Sequence, residues 1–292
     1  MINDLVVAAR ADGDGSMDPE LMREGYRLLL GGVQPAELQC FRSDVDIDGR
    51  SAILLTPSDP TDRILVWFHG GGWVLGSPDL SLAECDALAS QANCRVLSFD
   101  YRRAPESRFP AAFDDAIHCV RWVMSHAESL GIDRQHVAVG GDSAGGNLAA
   151  AVALELGTTL SAQLLVYPKV DVSRRSDAAF TYEDGYLLNW KTMEWFGEQY
   201  CSTEQTSDVR MSPMLADDEQ LASVAPAHIV IAEFDPLRDD GFEYAARLER
   251  LGVPVSTDYY ANQMHLFFSF PSLIPDAALA VANAASFLRE RA

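Results

Sequence analysis

The chain has 292 residues, 48% of them hydrophobic and 22% charged, a globular composition with enough apolar side chain for a large core. Acidic residues outnumber basic ones 43 to 22, and the net charge of -21 argues against nucleic acid and anionic membranes as partners and in favour of neutral small molecules. The odd set Cys40, Cys85, Cys94, Cys119 and Cys201 has no metal-like pairing, no basic stretch leads into an apolar run at the amino end, and no run of about 18 apolar residues occurs, so a soluble, cytoplasmic protein with neither disulfide framework nor zinc site is expected.

Residues 1 to about 40 are helical in pattern. Asp18-Pro19 can start a helix, Leu21, Met22, Gly25, Leu28 and Leu29 form one stripe, and Gly31-Gly32 can stop it. From Phe41 the period changes to two. Val45 and Ile47 alternate with acids, and Ala52 to Leu55 follow Asp48-Gly49, a strong hairpin turn signal. Ile64 to Phe68 is a continuous apolar run suited to a buried strand, and it ends in His69-Gly70-Gly71-Gly72-Trp73. Residues 80 to 92 read as helix and Val96 to Phe99 as strand. The helix from about Ala111 to Ala127 places Phe113, Ile117, Val120 and Met124 on one side.

Val137 to Val139 is a β-branched run that turns through Gly140-Gly141-Asp142-Ser143-Ala144-Gly145 into an alanine-rich helix. This matches G-x-S-x-G in its required strand-turn-helix setting. The serine sits on a strained corner, and a Cβ two residues to either side would collide with neighbouring backbone. Gln163 to Tyr167 is a further strand. Residues 171 to about 220 break the rhythm and are rich in aromatics, read as either core or pocket wall. His228 to Ala232 and Val255 to Tyr260 are strands. Asp239 to Leu251 is a helix, and so is Asp276 to Arg289, with Ala278, Val281, Ala285 and Leu288 in register.

Strands alternating with helices after an initial hairpin imply an α/β fold, a mostly parallel sheet covered on both faces. The two irregular pieces, 1 to 40 and 171 to 220, are expected to cap its carboxyl edge, where ligands of open α/β sheets bind. That edge sorts the six histidines. His118 and His126 lie on a helix, His136 and His228 precede strands at the opposite edge, and His69 belongs to the glycine loop. His265, after the last strand, is the candidate base for Ser143. Asp235 follows the preceding strand and can orient the imidazole. Asp239 and Asp240 are rivals, read instead as partners of a helix dipole. Gly71 and Gly72, with Ala144, are expected to present N–H groups to an oxyanion.

Taken together, His69-Gly-Gly-Gly-Trp73, Tyr101 to Glu106, Phe109 to Asp115, Gly141-Asp-Ser-Ala-Gly-Gly146, Ser212-Pro-Met214 and Asp235 to Asp239 resemble the bacterial hormone-sensitive-lipase-like esterases of the α/β-hydrolase fold. The resemblance covers about residues 40 to 292. It implies an eight-stranded sheet with a helical cap, and a nucleophile at Ser143, an acid at Asp235 and a base at His265. It further implies hydrolysis of short- to medium-chain carboxylic esters without cofactor or metal. Many members dimerise, often through the last strand and helix, so a homodimer is an expectation. The family usually carries His-Gly-Phe where this chain has His265-Leu266-Phe267, and leucine makes that loop stiffer and bulkier. The expected organisation is a cap segment over 1–40 and a catalytic domain over 41–292, with a second cap segment inserted at about 171–220. The competing readings are a ligand-binding protein on the same scaffold and a peptidase or amidase.

Overall fold

The computed structural model describes residues 17–291, so residues 1–16 of the expected first segment lie outside the described residues. The elements are α1 (Pro19–Gly31), β1 (Phe41–Ile47), β2 (Arg50–Thr56), β3 (Ile64–Phe68), α2 (Leu82–Ala92), β4 (Arg95–Phe99), α3 (Ala111–Ser125), α4 (Ala127–Leu130), β5 (Val137–Asp142) and α5 (Ala144–Leu156). There follow β6 (Ala162–Val166), α6 (Asp177–Thr181), α7 (Trp190–Tyr200), α8 (Asp218–Ala222), β7 (Ala227–Phe234), α9 (Arg238–Arg250), β8 (Val255–Met264) and α10 (Pro275–Arg291).

The strands form one eight-stranded sheet in the order β1-β2-β4-β3-β5-β6-β7-β8. The β1–β2 and β2–β4 pairs are antiparallel and every other pair is parallel. The opening hairpin turns at Asp48 and Gly49, both at positive φ (50° and 88°). Asn/Asp-Gly pairs favour this turn because its twist matches that of the flanking strands.

Period-two geometry divides β3 between the two faces. Ile64, Val66 and Phe68 join the core formed with α3 and α5, while Leu65 and Trp67 join the core under α2 and α10. All five are fully buried, and each such side chain contributes about 1.5–3 kcal/mol relative to exposure. A strand buried on both faces reads as unbroken apolar sequence, which is why this one is legible.

Two amphipathic stripes match expectation except at their flanks, with Val281, Ala285 and Leu288 of α10 buried and Met22, Gly25 and Leu29 of α1 facing inward. Leu21 and Leu28 of α1 are 46% and 56% exposed, and the inward face is Met22, Gly25, Tyr26 and Leu29, at i, i+3, i+4 and i+7. On α10 the buried stripe starts at Ala277, with Ala278 exposed. The start of α1 follows the sequence: the Asp18 side chain accepts the N–H groups of Glu20 and Leu21, and Pro19 is the first helical residue.

Candidate active site

Parallel strands bring their carboxyl ends to one edge, and three loops at that edge converge. Ser143 directly follows β5, Asp235 follows β7 and His265 follows β8. His265 Nε2 is 3.0 Å from Ser143 Oγ, and His265 Nδ1 is 2.7 Å from Asp235 Oδ2. Asp235 is fully buried, and its other oxygen accepts the Leu237 N–H at 2.8 Å. Its carboxylate is thereby fixed, and with it the Nδ1–H tautomer that leaves Nε2 as an acceptor for the serine proton. The Tyr167 ring, 4.6 Å from the imidazole, supports it from the side.

Ser143 holds φ 56° and ψ -115°, a sparsely populated region that costs an ordinary residue on the order of 1–3 kcal/mol. The flanking chain secures it. Ser143 N–H donates to Val166 O at 2.9 Å, and Ser143 O accepts from Asn147 N–H at 3.0 Å. Close packing explains the glycines around it. A Cβ on Gly145 would stand 1.8 Å from Phe68 O, and one on Gly141 would stand 2.4 Å from both Phe68 O and the Gly145 carbonyl carbon.

The glycine loop after β3 passes beside Ser143. Gly71 and Gly72 sit at φ 110° and 60°, and a Cβ on Gly71 would meet Leu75 O at 2.6 Å. Both line the cavity together with Ser143, Ala144 and His265. Among the described residues, the N–H groups of Gly71, Gly72 and Ala144 have no protein acceptor. Unpaired N–H donors grouped beside a hydroxyl are able to receive a developing negative charge, and in an oxyanion site each such donor is worth roughly 3 kcal/mol.

The support behind this loop is absent from the sequence reading. Gly70 N–H donates to Asp142 Oδ1 at 2.7 Å, His69 Nδ1–H donates to Gly70 O at 2.8 Å, and Tyr101 Oη–H donates to His69 O at 2.7 Å. The His69 ring stacks on Tyr101 at 4.3 Å. Burial pushes the His69 imidazole down to about 3, so it is neutral and acts as a structural donor. Burial pushes Asp142 up to about 6 despite the Gly70 N–H. Asp142 lies within the G-x-S-x-G motif and His69 and Tyr101 within recognisable motifs, but their mutual contact depends on the β3–β4–β5 pairing.

The remaining histidines lie elsewhere. His118 reaches Asp48 at 2.9 Å, His126 stacks on Trp122, His136 meets Asp62 at 3.1 Å, and buried His228 meets Ser256 at 2.8 Å. Asp62, Asp133 and His136 are the only acid–histidine group among the described residues close enough to share an ion, and they precede β3 and β5 at the opposite edge from Ser143. All five cysteines are buried free thiols.

Asp239 and Asp240 do lie in the first turn of α9, but they do more than complement its dipole. Asp239 accepts the Ala178 N–H at 2.7 Å. Asp240 is fully buried and accepts Lys169 Nζ at 3.0 Å and the Val170 and Asp171 N–H groups at 3.1 and 3.3 Å. Together they tie the segment after β6 to α9. Within 180–200, most aromatics pack away from the cavity. Phe196 is the one that lines it, and its neighbours there are Leu187, Leu188, Thr192, Met193 and Gly197. The pocket is mostly apolar, and α1 and α7 both contribute to its wall.

Comparison with known proteins agrees with the fold. A family model described as alpha/beta hydrolase fold matches residues 65–269. Ethyl acetate hydrolase of Pseudomonas putida is 42% identical over 219 residues, 73% of this chain and 68% of that protein. The carboxylic ester hydrolase LipN of Mycobacterium tuberculosis is 40% identical over 237 residues, 77% of this chain and 62% of that protein. Among solved structures, the hyperthermophilic esterase from the archaeon Pyrobaculum calidifontis superposes with a TM-score of 0.87 at 33% identity, covering 94% of each chain. No helix among the described residues is long and apolar enough to cross a membrane. The chain belongs to the alpha/beta hydrolase fold family, among its hormone-sensitive-lipase-like esterases.

Proposed function

We propose that the chain is a serine carboxylesterase acting on short- to medium-chain carboxylic esters through an acyl-enzyme. The observation that carries this reading is the continuous relay Asp235 Oδ2–His265 Nδ1 (2.7 Å) and His265 Nε2–Ser143 Oγ (3.0 Å) at the floor of an apolar cavity. His265 Nε2 takes the Ser143 proton as Oγ attacks the ester carbonyl, and Asp235 stabilises the imidazolium that forms. The N–H groups of Gly71, Gly72 and Ala144 receive the negative oxygen. On collapse the imidazolium gives its proton to the alcohol oxygen, and the alcohol leaves. Water then repeats the sequence on the acyl group and restores Ser143.

The largely apolar lining contributed by α1 and α7, with Met22, Tyr26, Leu29, Met193 and Phe196, suits an acyl chain. In this reading α1 and the segment 171–220 together act as the cap. The unpaired outer edge of β8, with Tyr259 and Met264 exposed, supports a homodimer formed along that strand. Five unpaired thiols suit a reducing, cytoplasmic setting. The test is hydrolysis of p-nitrophenyl esters from acetyl to palmitoyl by the wild type and by Ser143→Ala. A peak at short to medium chains, abolished by the substitution, is the expected result. Tight ligand binding without turnover of any ester would favour a binding protein instead.

A further inference from the structure

Leu266 holds a backbone conformation that suits glycine. Its φ is 77° and ψ -4°, in the left-handed region that a branched side chain rarely adopts. The turn it starts needs only backbone: Ser269 N–H donates to Leu266 O at 3.1 Å. A glycine would make the same turn without strain, so the reason for leucine lies in its side chain.

That side chain is 4% exposed, yet Leu266 belongs to neither of the two cores that fill the faces of the sheet. Its neighbours Phe267 and Phe268 are part of the core under α2 and α10. Leu266 and Leu237 line the cavity, and Leu266 directly follows His265. It is buried as wall of the substrate site.

Which part of the substrate it meets follows from the proton path. His265 Nε2 delivers its proton to the alcohol oxygen, so the alcohol group lies beside the imidazole. The lining contributed by α1 and α7 is roomier. Gly25 of α1 and Gly197 of α7 line the cavity, and a Cβ on either would meet nothing within 4 Å. Gly25 lies on the Met22–Tyr26–Leu29 stripe and Gly197 one position after Phe196, so both belong to cavity-facing surfaces. An extended acyl chain has space there and not at Leu266.

We infer that Leu266 is a specificity-determining residue that narrows the alcohol side of the site, restricting the enzyme to esters of small, unbranched alcohols. This rests on the serine-esterase reading above. A hydrophobic wall discriminates by about 10- to 200-fold per methylene-sized misfit.

The experiment measures kcat/KM for ethyl, n-butyl and tert-butyl butyrate with wild type, Leu266→Gly and Leu266→Ala, alongside p-nitrophenyl esters from acetate to octanoate. Wild type should prefer ethyl over tert-butyl butyrate, and because a tertiary ester is intrinsically slower, the quantity that reads Leu266 is the change in this ratio between variants. Leu266→Gly should narrow that ratio by at least about tenfold, and Leu266→Ala, which keeps a Cβ in the left-handed turn, by an intermediate factor. The order of preference along the acyl series should stay the same. Because the readout is a ratio, a loosened loop that slows every ester equally does not mimic the effect. An unchanged alcohol ratio in both variants, or a shift in the acyl series instead, overturns the assignment of Leu266 alone. Absence of turnover of any ester by the wild type overturns the esterase reading itself.

Discussion

Replacing Gly145 with alanine sets two local rules against each other. Gly145 lies in the first turn of α5, where intrinsic propensity favours alanine over glycine by about 1 kcal/mol. Its added Cβ would stand 1.8 Å from Phe68 O, 2.5 Å from Phe68 C and 2.7 Å from His69 O. All three are backbone atoms, so no side-chain rotation relieves the contact. Ordinary contact begins near 3.4 Å, so the amino end of α5 and the end of β3 must part by about 1.5 Å. These two pieces carry Ser143 and the glycine loop. A displacement of about 1 Å between reacting groups costs roughly 100-fold in rate, and overpacking of this kind costs about 1–3 kcal/mol in stability. Gly146→Ala is the internal control, because its Cβ would meet Pro168 Cβ at 3.0 Å and Gly141 O at 3.1 Å, within reach of a small adjustment. Urea denaturation midpoints and kcat/KM on p-nitrophenyl butyrate give the two readouts. Gly145→Ala should be destabilised and slowed by at least about 100-fold, with Gly146→Ala within about 1 kcal/mol and tenfold of wild type. A Gly145→Ala enzyme equal to wild type in both would refute the packing argument.

Two further outcomes follow from buried charge. Lys169→Met leaves the Asp240 carboxylate buried with only the Val170 and Asp171 N–H groups, and should cost about 3–5 kcal/mol in urea unfolding, with Lys169→Met/Asp240→Asn recovering much of it; equal stability of the two variants would count against the pair. Burial, with Asp142 nearby, pushes the Glu84 carboxyl up to about 8, so its contribution to stability is fully present below the ordinary carboxyl value and is lost as pH rises through about 8. Glu84→Gln stays neutral, so its stability relative to wild type should climb by a few kcal/mol between about pH 5 and pH 9, and a flat difference would refute the assignment.

What was legible in the sequence had a local physical cause. The fully buried β3 shows as an unbroken apolar run, the hairpin as Asp48-Gly49, and the serine corner as glycines that only a close backbone approach requires. Position before or after a strand set aside His136 and His228, because parallel strands put each loop at a known edge, and His69 was set aside as part of the glycine loop. What was not legible depends on tertiary neighbours. The apolar residues of α1 spread over a broad stripe, and only its packing against the cavity selects Met22, Gly25, Tyr26 and Leu29 and leaves Leu21 and Leu28 outside. Asp239 and Asp240 look like dipole partners until the segment after β6 folds back on them. The positive φ of Leu266 has no sequence signal, since leucine is a residue for which that conformation is least expected.

The most direct test of the central claim is to react the protein with diethyl p-nitrophenyl phosphate and locate the added mass by peptide mapping. The account predicts one diethylphosphoryl group per chain, on Ser143, with ester hydrolysis abolished in step with labelling and the reaction suppressed in His265→Ala. Hydrolysis that persists after Ser143 is fully labelled, or a label on another residue that tracks the loss of activity, would contradict it.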